Sequence, residues 1–272
     1  MSEAELTFEA VVADLAEAGQ RLVELHACEG AAGNLSVLLP TSVQPPSSYG
    51  NPQTIELPIR VPELARRDFL VSGSGTRMRD ILRQPGRCLG YLRIDDGGGT
   101  GTLYSNDARA FSRITSEFNS HLAVHRALSD GGSVGHHAIV HAQPRSLTFL
   151  SHRAEFQHVD EVNRRLLRWQ PEAILNFPEG LGVVPFLIPG QAELMRANER
   201  ELSRCRLVIW AKHGVMARSF SSAQAAVDLI EYAETAATYE LTDLVTGQRG
   251  EGLGPDDLRR VALAYGVAQR LF

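Results

Sequence analysis

The sequence predicts a mixed α/β fold, and three observations predict it. Long apolar stripes at helical spacing occur near both ends of the chain, short β-branched runs lie among them, and the two kinds of element interleave without a strict βαβ repeat. Several strand pairs are close enough in sequence to be antiparallel, which favours a mixed α/β sandwich over a doubly wound sheet. With 272 residues the chain can bury a sizeable core as one larger domain or two small ones. Neither an internal repeat nor a low-complexity segment forces a split.

Phe8, Val11, Val12, Leu15, Leu22 and Leu25 keep helical spacing, so an amphipathic helix opens the chain and ends near Cys28. "GNLSVLLP" reads as a short strand after a Gly/Ala turn. "TSVQPPSSYGNPQ", within residues 40–60, is rich in Pro, Ser and Gly and reads as a surface loop or excursion. Alternation and β-branching make strands of "FLVSG" and "GYLRID", the second joined to "TLY" through glycines that suit a tight connection. From Asp107 to Leu128 the pattern is helical, with Phe111, Ile114, Phe118 and Leu122 on one face. "AIVHAQ" is a strand, and Pro144 suits the first turn of the helix after it. "LVIWAK" is an apolar strand. Ser221 to about Val245 is the longest helix, with Val227, Ile230, Ala237, Leu241 and Leu244 along one stripe, and "GPDDLRR" starts a last one.

A formal charge of −5 and a pI near 6.0 supply no basic face, which argues against nucleic acid and anionic membrane as partners and leaves small polar substrates. Cys28, Cys88 and Cys205 are odd in number and widely spaced, which fits neither a disulfide framework nor a thiolate zinc site and suits a reducing compartment. The acidic "MSEAELTFEA" is unlike a signal peptide, and no run approaches ~18 apolar residues. The expectation is a soluble, cytoplasmic protein.

Two histidines stand at strand ends. In "IVHAQP" an apolar run leads into His141, and Gln143 follows on the same face, where a metal site would carry a second imidazole. "LVIWAKHG" brings His213 off another strand, and Gly214 permits close backbone approach. The pair could share one divalent ion such as zinc, iron or nickel, and on spacing alone two unrelated strand-terminal histidines explain the pattern equally well. His121 and His125 are four apart on a helix, but Leu122 stands where a zincin needs glutamate, so a half-buried helix face is expected. His136 and His137 lie in a glycine-rich turn, where solvent exposure is expected. Glu117 falls in the first turn of a helix after Thr115 and Ser116, a place for an anion or for ordinary capping. "SGSG", Ser72 to Gly75, could cradle a phosphate through exposed amides or be only a turn.

Taken in order, "AAGNLSVLL", "FLVSGSGTRMRD", "TSE", "VHAQ", "PEGLGVVPFLIPG", "LVIWAKHGV" and "IEYAETAA" resemble the class II aldolase/adducin family over almost the whole chain. The resemblance implies a single α/β/α domain spanning residues 1–272, with a mostly antiparallel central sheet, assembled as a cyclic homotetramer with active sites at subunit interfaces. It implies that His141, the residue at 143 and His213 hold Zn2+, that Glu117 is an acid/base, and that Glu172 in "QPEAIL" is a second catalytic carboxylate. Asn34, Ser74, Gly75, Thr115 and Ser116 match positions that bind the phosphate end of a ketose. The activity implied is metal-dependent cleavage of a ketose 1-phosphate to dihydroxyacetone phosphate and an aldehyde. Such cleavage leaves a carbanion beside a carbonyl, which a divalent cation stabilises as an enediolate without a Schiff-base lysine, while a positioned carboxylate handles the protons. Lys212 is the only lysine, and its place beside His213 gives no reason to cast it as a Schiff-base former.

Two residues depart from the family pattern. Gln143 replaces a histidine, and an amide oxygen is a harder and weaker zinc ligand than imidazole. Ala31 replaces an asparagine directed at the phosphate. The family also contains sugar-phosphate epimerases and the non-catalytic adducin head, which are the alternative readings.

Overall fold

The computed structural model describes residues 6–40, 43–129, 136–247 and 250–272. The opening amphipathic segment forms helix α1 (Phe8–Glu24), started by Thr7, whose hydroxyl accepts the Ala10 amide. The strands are β1 (Asn34–Leu38), β2 (Asn51–Glu56), β3 (Asp68–Ser72), β4 (Leu89–Ile94), β5 (Thr100–Ser105), β6 (His137–Ala142), β7 (Gly182–Val184), β8 (Leu207–Trp210) and β9 (Gly214–Ser219). They build one sheet in the order β2-β5-β4-β3-β1-β6-β9-β8-β7. Every pair is antiparallel except β7 with β8. The other helices are α2 (Met78–Ile81), α3 (Pro85–Cys88), α4 (Phe118–Ser129), α5 (Arg145–Leu150), α6 (Val159–Leu166), α7 (Pro171–Asn176), α8 (Ala192–Leu202), α9 (Ala223–Thr246) and α10 (Pro255–Ala264).

Helices cover both faces of the sheet, so the architecture is α/β/α, and the central strands β1, β3, β6 and β8 are buried along their whole length. Alternation along β1 divides its side chains. Leu35 and Val37 enter the larger core beneath α1 and α9, with Leu15, Leu22, Val140, Val215, Val227 and Ile230. Leu38, on the opposite face, joins Phe69, Phe118 and Leu122 under α4. A third apolar cluster, with Ile139, Leu194, Val208 and Trp210, lies under α8.

Two expectations need correction. The helix expected from Asp107 starts only at Phe118. Phe111 and Ile114 are buried in the same cluster as Phe118 and Leu122, so the spacing read burial correctly and conformation wrongly. Residues 113–115 are instead stitched to the end of β3: the Ser74 amide donates to the Arg113 carbonyl and the Thr115 amide to the Ser72 carbonyl. Gly73 makes this approach possible, because a Cβ there would stand 2.1 Å from the Phe111 ring. The second correction concerns the stretch read as loop, whose last residues begin β2, an exposed edge strand paired with β5. Its exposed side chains leave no apolar alternation for a sequence to show.

Candidate metal centre and active site

The site forms on the α4 face of the sheet, where β1 and β6 run side by side. Asn34 stands opposite His141 and Ser36 opposite Ile139. His213 arrives from the turn between β8 and β9, where its amide donates to the Trp210 carbonyl. Lys212 there has φ 64°, a strained backbone for a lysine, and its amide donates to Ser151 Oγ at 2.8 Å. Gly214 is required next, since a Cβ would meet the Ala142 carbonyl oxygen at 2.4 Å and Gln143 Cγ at 3.1 Å. This close contact packs the turn against the end of β6.

The result is a cluster of Glu117, His141 and His213, whose ligand atoms lie within 4.8 Å of one another; it is the one such group of three among the described residues. Glu117 Oε2 is 3.4 Å from His141 Nε2, and its Oε1 is 3.8 Å from His213 Nε2. His141 stacks on Trp210 with ring centroids 4.7 Å apart. Its Nδ1–H donates to the Val215 carbonyl at 2.8 Å, which turns Nε2 toward the cluster. Burial, with repulsion from His141, holds the His213 imidazole down to about 4 against the pull of Glu117, so it is neutral at pH 7. His213 Nδ1 is buried with no hydrogen-bond partner among the described residues. Two imidazoles and a carboxylate converging on one point make a donor set that fits a divalent cation. Gln143 lies next to this set, its side chain packed beside Gly214 and its backbone N–H donating to the Ala27 carbonyl.

Burial alone would raise the Glu117 carboxyl, but His141, the Asn34 N–H, His213 and His121 together bring it below the ordinary carboxylate value. The Asn34 Nδ2 donates to Glu117 Oε2 at 2.8 Å, and its Oδ1 is 2.5 Å from His121 Nε2. From there a buried chain continues: Ser36 Oγ is 2.7 Å from both His121 Nδ1 and His125 Nε2, and His125 Nδ1 is 2.7 Å from His137 Nδ1. The expected half-buried face at His121 and His125 and the expected exposure at His137 are therefore corrected, for all three are fully buried. His136 is half-buried. A signal for this was present in "NLSVL", where Asn34 and Ser36 fall on one face of a strand while Leu35 and Val37 fill the other. Two polar groups on one face of a buried strand require polar partners, and histidines four apart on a helix supply them.

The remaining residues divide. Thr115 is buried, and its Oγ1 accepts the Glu117 amide at 3.3 Å, while Ser116 is exposed beside Gly190. Ser74 is half-buried, and Gly75, with φ 78°, borders a cavity of about 210 Å³ lined also by Thr76, Arg77 and Arg87. Glu172 is not part of the cluster. It is exposed in the first turn of α7, which packs against α9 and α10.

Comparison with known proteins accords with this geometry. The family model described as the class II aldolase and adducin N-terminal domain matches residues 13–241. The rhamnulose-1-phosphate aldolase of Bacteroides thetaiotaomicron is 30% identical over 209 residues, covering 77% of this chain and 76% of the relative. The rhamnulose-1-phosphate aldolase of Klebsiella pneumoniae is 29% identical over 245 residues, covering 88% and 87%. Among solved structures, a sugar-phosphate aldolase from Thermotoga maritima superposes with a TM-score of 0.75 at 27% identity, covering 90% of this chain and 99% of that one. An l-fuculose-1-phosphate aldolase from Thermus thermophilus, at 18% identity and a TM-score of 0.57 over 89% and 98% of the two chains, shares the fold. With the family model matching most of its length and aldolases as its relatives, the chain belongs to the class II aldolase and adducin family and stands among that family's enzymes, the class II lyases.

Proposed function

We propose that the chain is a metal-dependent aldolase that cleaves a ketose 1-phosphate, with rhamnulose 1-phosphate the first to test, into dihydroxyacetone phosphate and an aldehyde. The observation that carries this reading is the meeting of buried Glu117 and His141 with half-buried His213. The named activity of the relatives supports the substrate class. In this reading His141, Gln143 and His213 hold the divalent ion, zinc by preference for two imidazoles. When bound, the ion supplies Lewis-acid stabilisation of the negative charge that develops beside the ketose carbonyl.

The rest falls to the chain's own groups. Cleavage takes a proton off one hydroxyl and returns one to the carbon left behind, and Glu117, ionised and buried, is the acid/base for this exchange. Ser74, Gly75, Thr115 and Ser116 receive the phosphate end, helped by the second N–H of Asn34. Glu172, exposed on α7, serves the site of a neighbouring copy in a homotetramer of single-domain subunits in the cytoplasm.

The test is aldehyde release from rhamnulose 1-phosphate and other ketose 1-phosphates by the purified protein and by Glu117→Gln. Loss of a general acid/base lowers kcat by about 10²-fold or more. Unchanged cleavage of every substrate by the variant would remove Glu117 from the mechanism. Epimerised sugar phosphate without free aldehyde would transfer the reading to an epimerase.

A further inference from the structure

We infer that Ser36, His121, His125 and His137 form a one-way chain of hydrogen bonds that holds the Asn34 amide turned toward Glu117, which makes them positioning residues for the reaction. The inference rests on the reading of Glu117 as acid/base, and it concerns side chains that the reaction itself does not touch.

The direction of the chain follows from counting protons. Ionised Glu117 only accepts, so Asn34 must present Nδ2 to it, 2.8 Å away, which leaves Oδ1 facing His121. An amide oxygen also only accepts, so His121 carries its proton on Nε2, 2.5 Å distant, and offers a lone pair at Nδ1. Ser36 has a single hydroxyl proton, and at 2.7 Å it goes to that lone pair. Ser36 Oγ then accepts from His125 Nε2–H, also at 2.7 Å. His125 is left with a lone pair at Nδ1, and His137 must donate to it from its own Nδ1–H. Every link points toward Glu117, and no link can reverse without reversing all of them. The chain terminates at His137 Nε2, which is buried and without a hydrogen-bond partner among the described residues.

The scheme requires neutral imidazoles, and burial supplies them: it brings His121 and His137 down to about 3 and His125 well below its ordinary value. It also requires that the rings be kept from turning over. Phe69 packs edge-on to His125, and His137 stacks on His125 with centroids 4.5 Å apart. If His121 took the other tautomer, its bare Nε2 would call for the Asn34 NH2 group, and the amide would rotate to set its oxygen against the carboxylate. Glu117 would then face a second acceptor in place of a donor. The chain thus prevents a rotation that Asn34, with two nearly isosteric ends, could otherwise make. A fold that only needed to pack α4 on β1 would do so with apolar side chains, because buried polar groups cost free energy unless every one is satisfied.

Neutron diffraction from crystals of the intact, metal-loaded protein exchanged into heavy water tests this directly. We expect deuterons on Nε2 of His121, Nε2 of His125 and Nδ1 of His137, with the Asn34 ND2 group on Glu117. A deuteron on Nδ1 of His121, or on both of its nitrogens, overturns the proposal. Kinetics supply the second arm. His121→Gln keeps an N–H donor near the Nε2 position and His121→Leu does not, so kcat falls about tenfold in the leucine variant, as for loss of one good hydrogen bond, and recovers in the glutamine variant. KM and metal content stay within about twofold in both. Equal losses in the two variants, or a loss carried by KM, mean ordinary packing and refute a positioning role. If the leucine variant does not fold, Ser36→Ala takes its place, and the deuteron positions decide in any case. If the wild-type protein cleaves no ketose phosphate, the functional reading fails while the neutron arm still decides the direction of the chain.

Discussion

In the proposed reading, Gln143 is the side chain on which metal binding turns. It sits where the resemblance places a histidine, beside Gly214 and one residue beyond the buried end of β6. If it ligates through its amide oxygen, Gln143→His converts a harder donor into an imidazole and tightens zinc binding on the order of tenfold, about 1.4 kcal/mol, in a chelator-competition titration. Unchanged affinity would mean that residue 143 does not face the ion. His213→Ala is the matching loss: elemental analysis should find about one ion per chain in the wild-type protein and none in the variant. Gly214→Ala probes the same place through the backbone. Its Cβ would overlap the Ala142 carbonyl oxygen, so the turn must move, and a loss of ~2 kcal/mol in stability together with weaker metal binding is expected from denaturant titration.

At the scale of elements, the helices that support the site are tied down by charge as well as by apolar contact. Glu240, fully buried on α9, accepts from Arg165 on α6, from Arg168, and from Trp169 Nε1. Glu240→Ala would remove the anion that both guanidinium groups share and leave Arg165 with Glu161 and Arg168 with Asp243, so the lost charged hydrogen bonds cost about 1.5–3 kcal/mol. A drop in stability below ~1 kcal/mol would show that Glu161 and Asp243 suffice for the two arginines. α9 was readable in the sequence because burial on one face repeats at a fixed period, and β1, β6 and β8 because short apolar runs buried on both faces stand out between polar segments. The segment before α4 was not, because Phe111 and Ile114 are buried at helical spacing by a chain that is held to β3 by backbone hydrogen bonds. The strand-end histidines were readable as candidates. The histidine chain was not, since each member has an ordinary explanation until β1, α4 and β6 are stacked and their polar faces meet.

The whole molecule inherits the acid sensitivity of those buried imidazoles. His121, His125 and His137 titrate below their ordinary value of 6.5 when folded, two of them at about 3. Between these values the unfolded chain binds the extra protons, so stability is complete above pH ~6.5 and is lost as the pH falls toward 3, on the order of 1.4 kcal/mol per pH unit for each imidazole. Thermal midpoints should fall steeply from pH 7 to 5. A flat profile over that range would contradict neutral burial. Sedimentation should give four chains per particle if Glu172 is to reach a site other than its own subunit's. Among the described residues no helix is long and apolar enough to cross a membrane.

The central position of β1 has a further consequence, for the time course of folding. Asn34 meets Glu117 across 83 positions of chain and His121 across 87, and both sheet neighbours of β1, β3 and β6, come from beyond β2 in the chain. Contacts this distant require large loops to close before they repay the entropy lost, so the middle of the sheet is a slow part to assemble. Metal-binding capacity in a refolding experiment should therefore lag behind the recovery of helical signal.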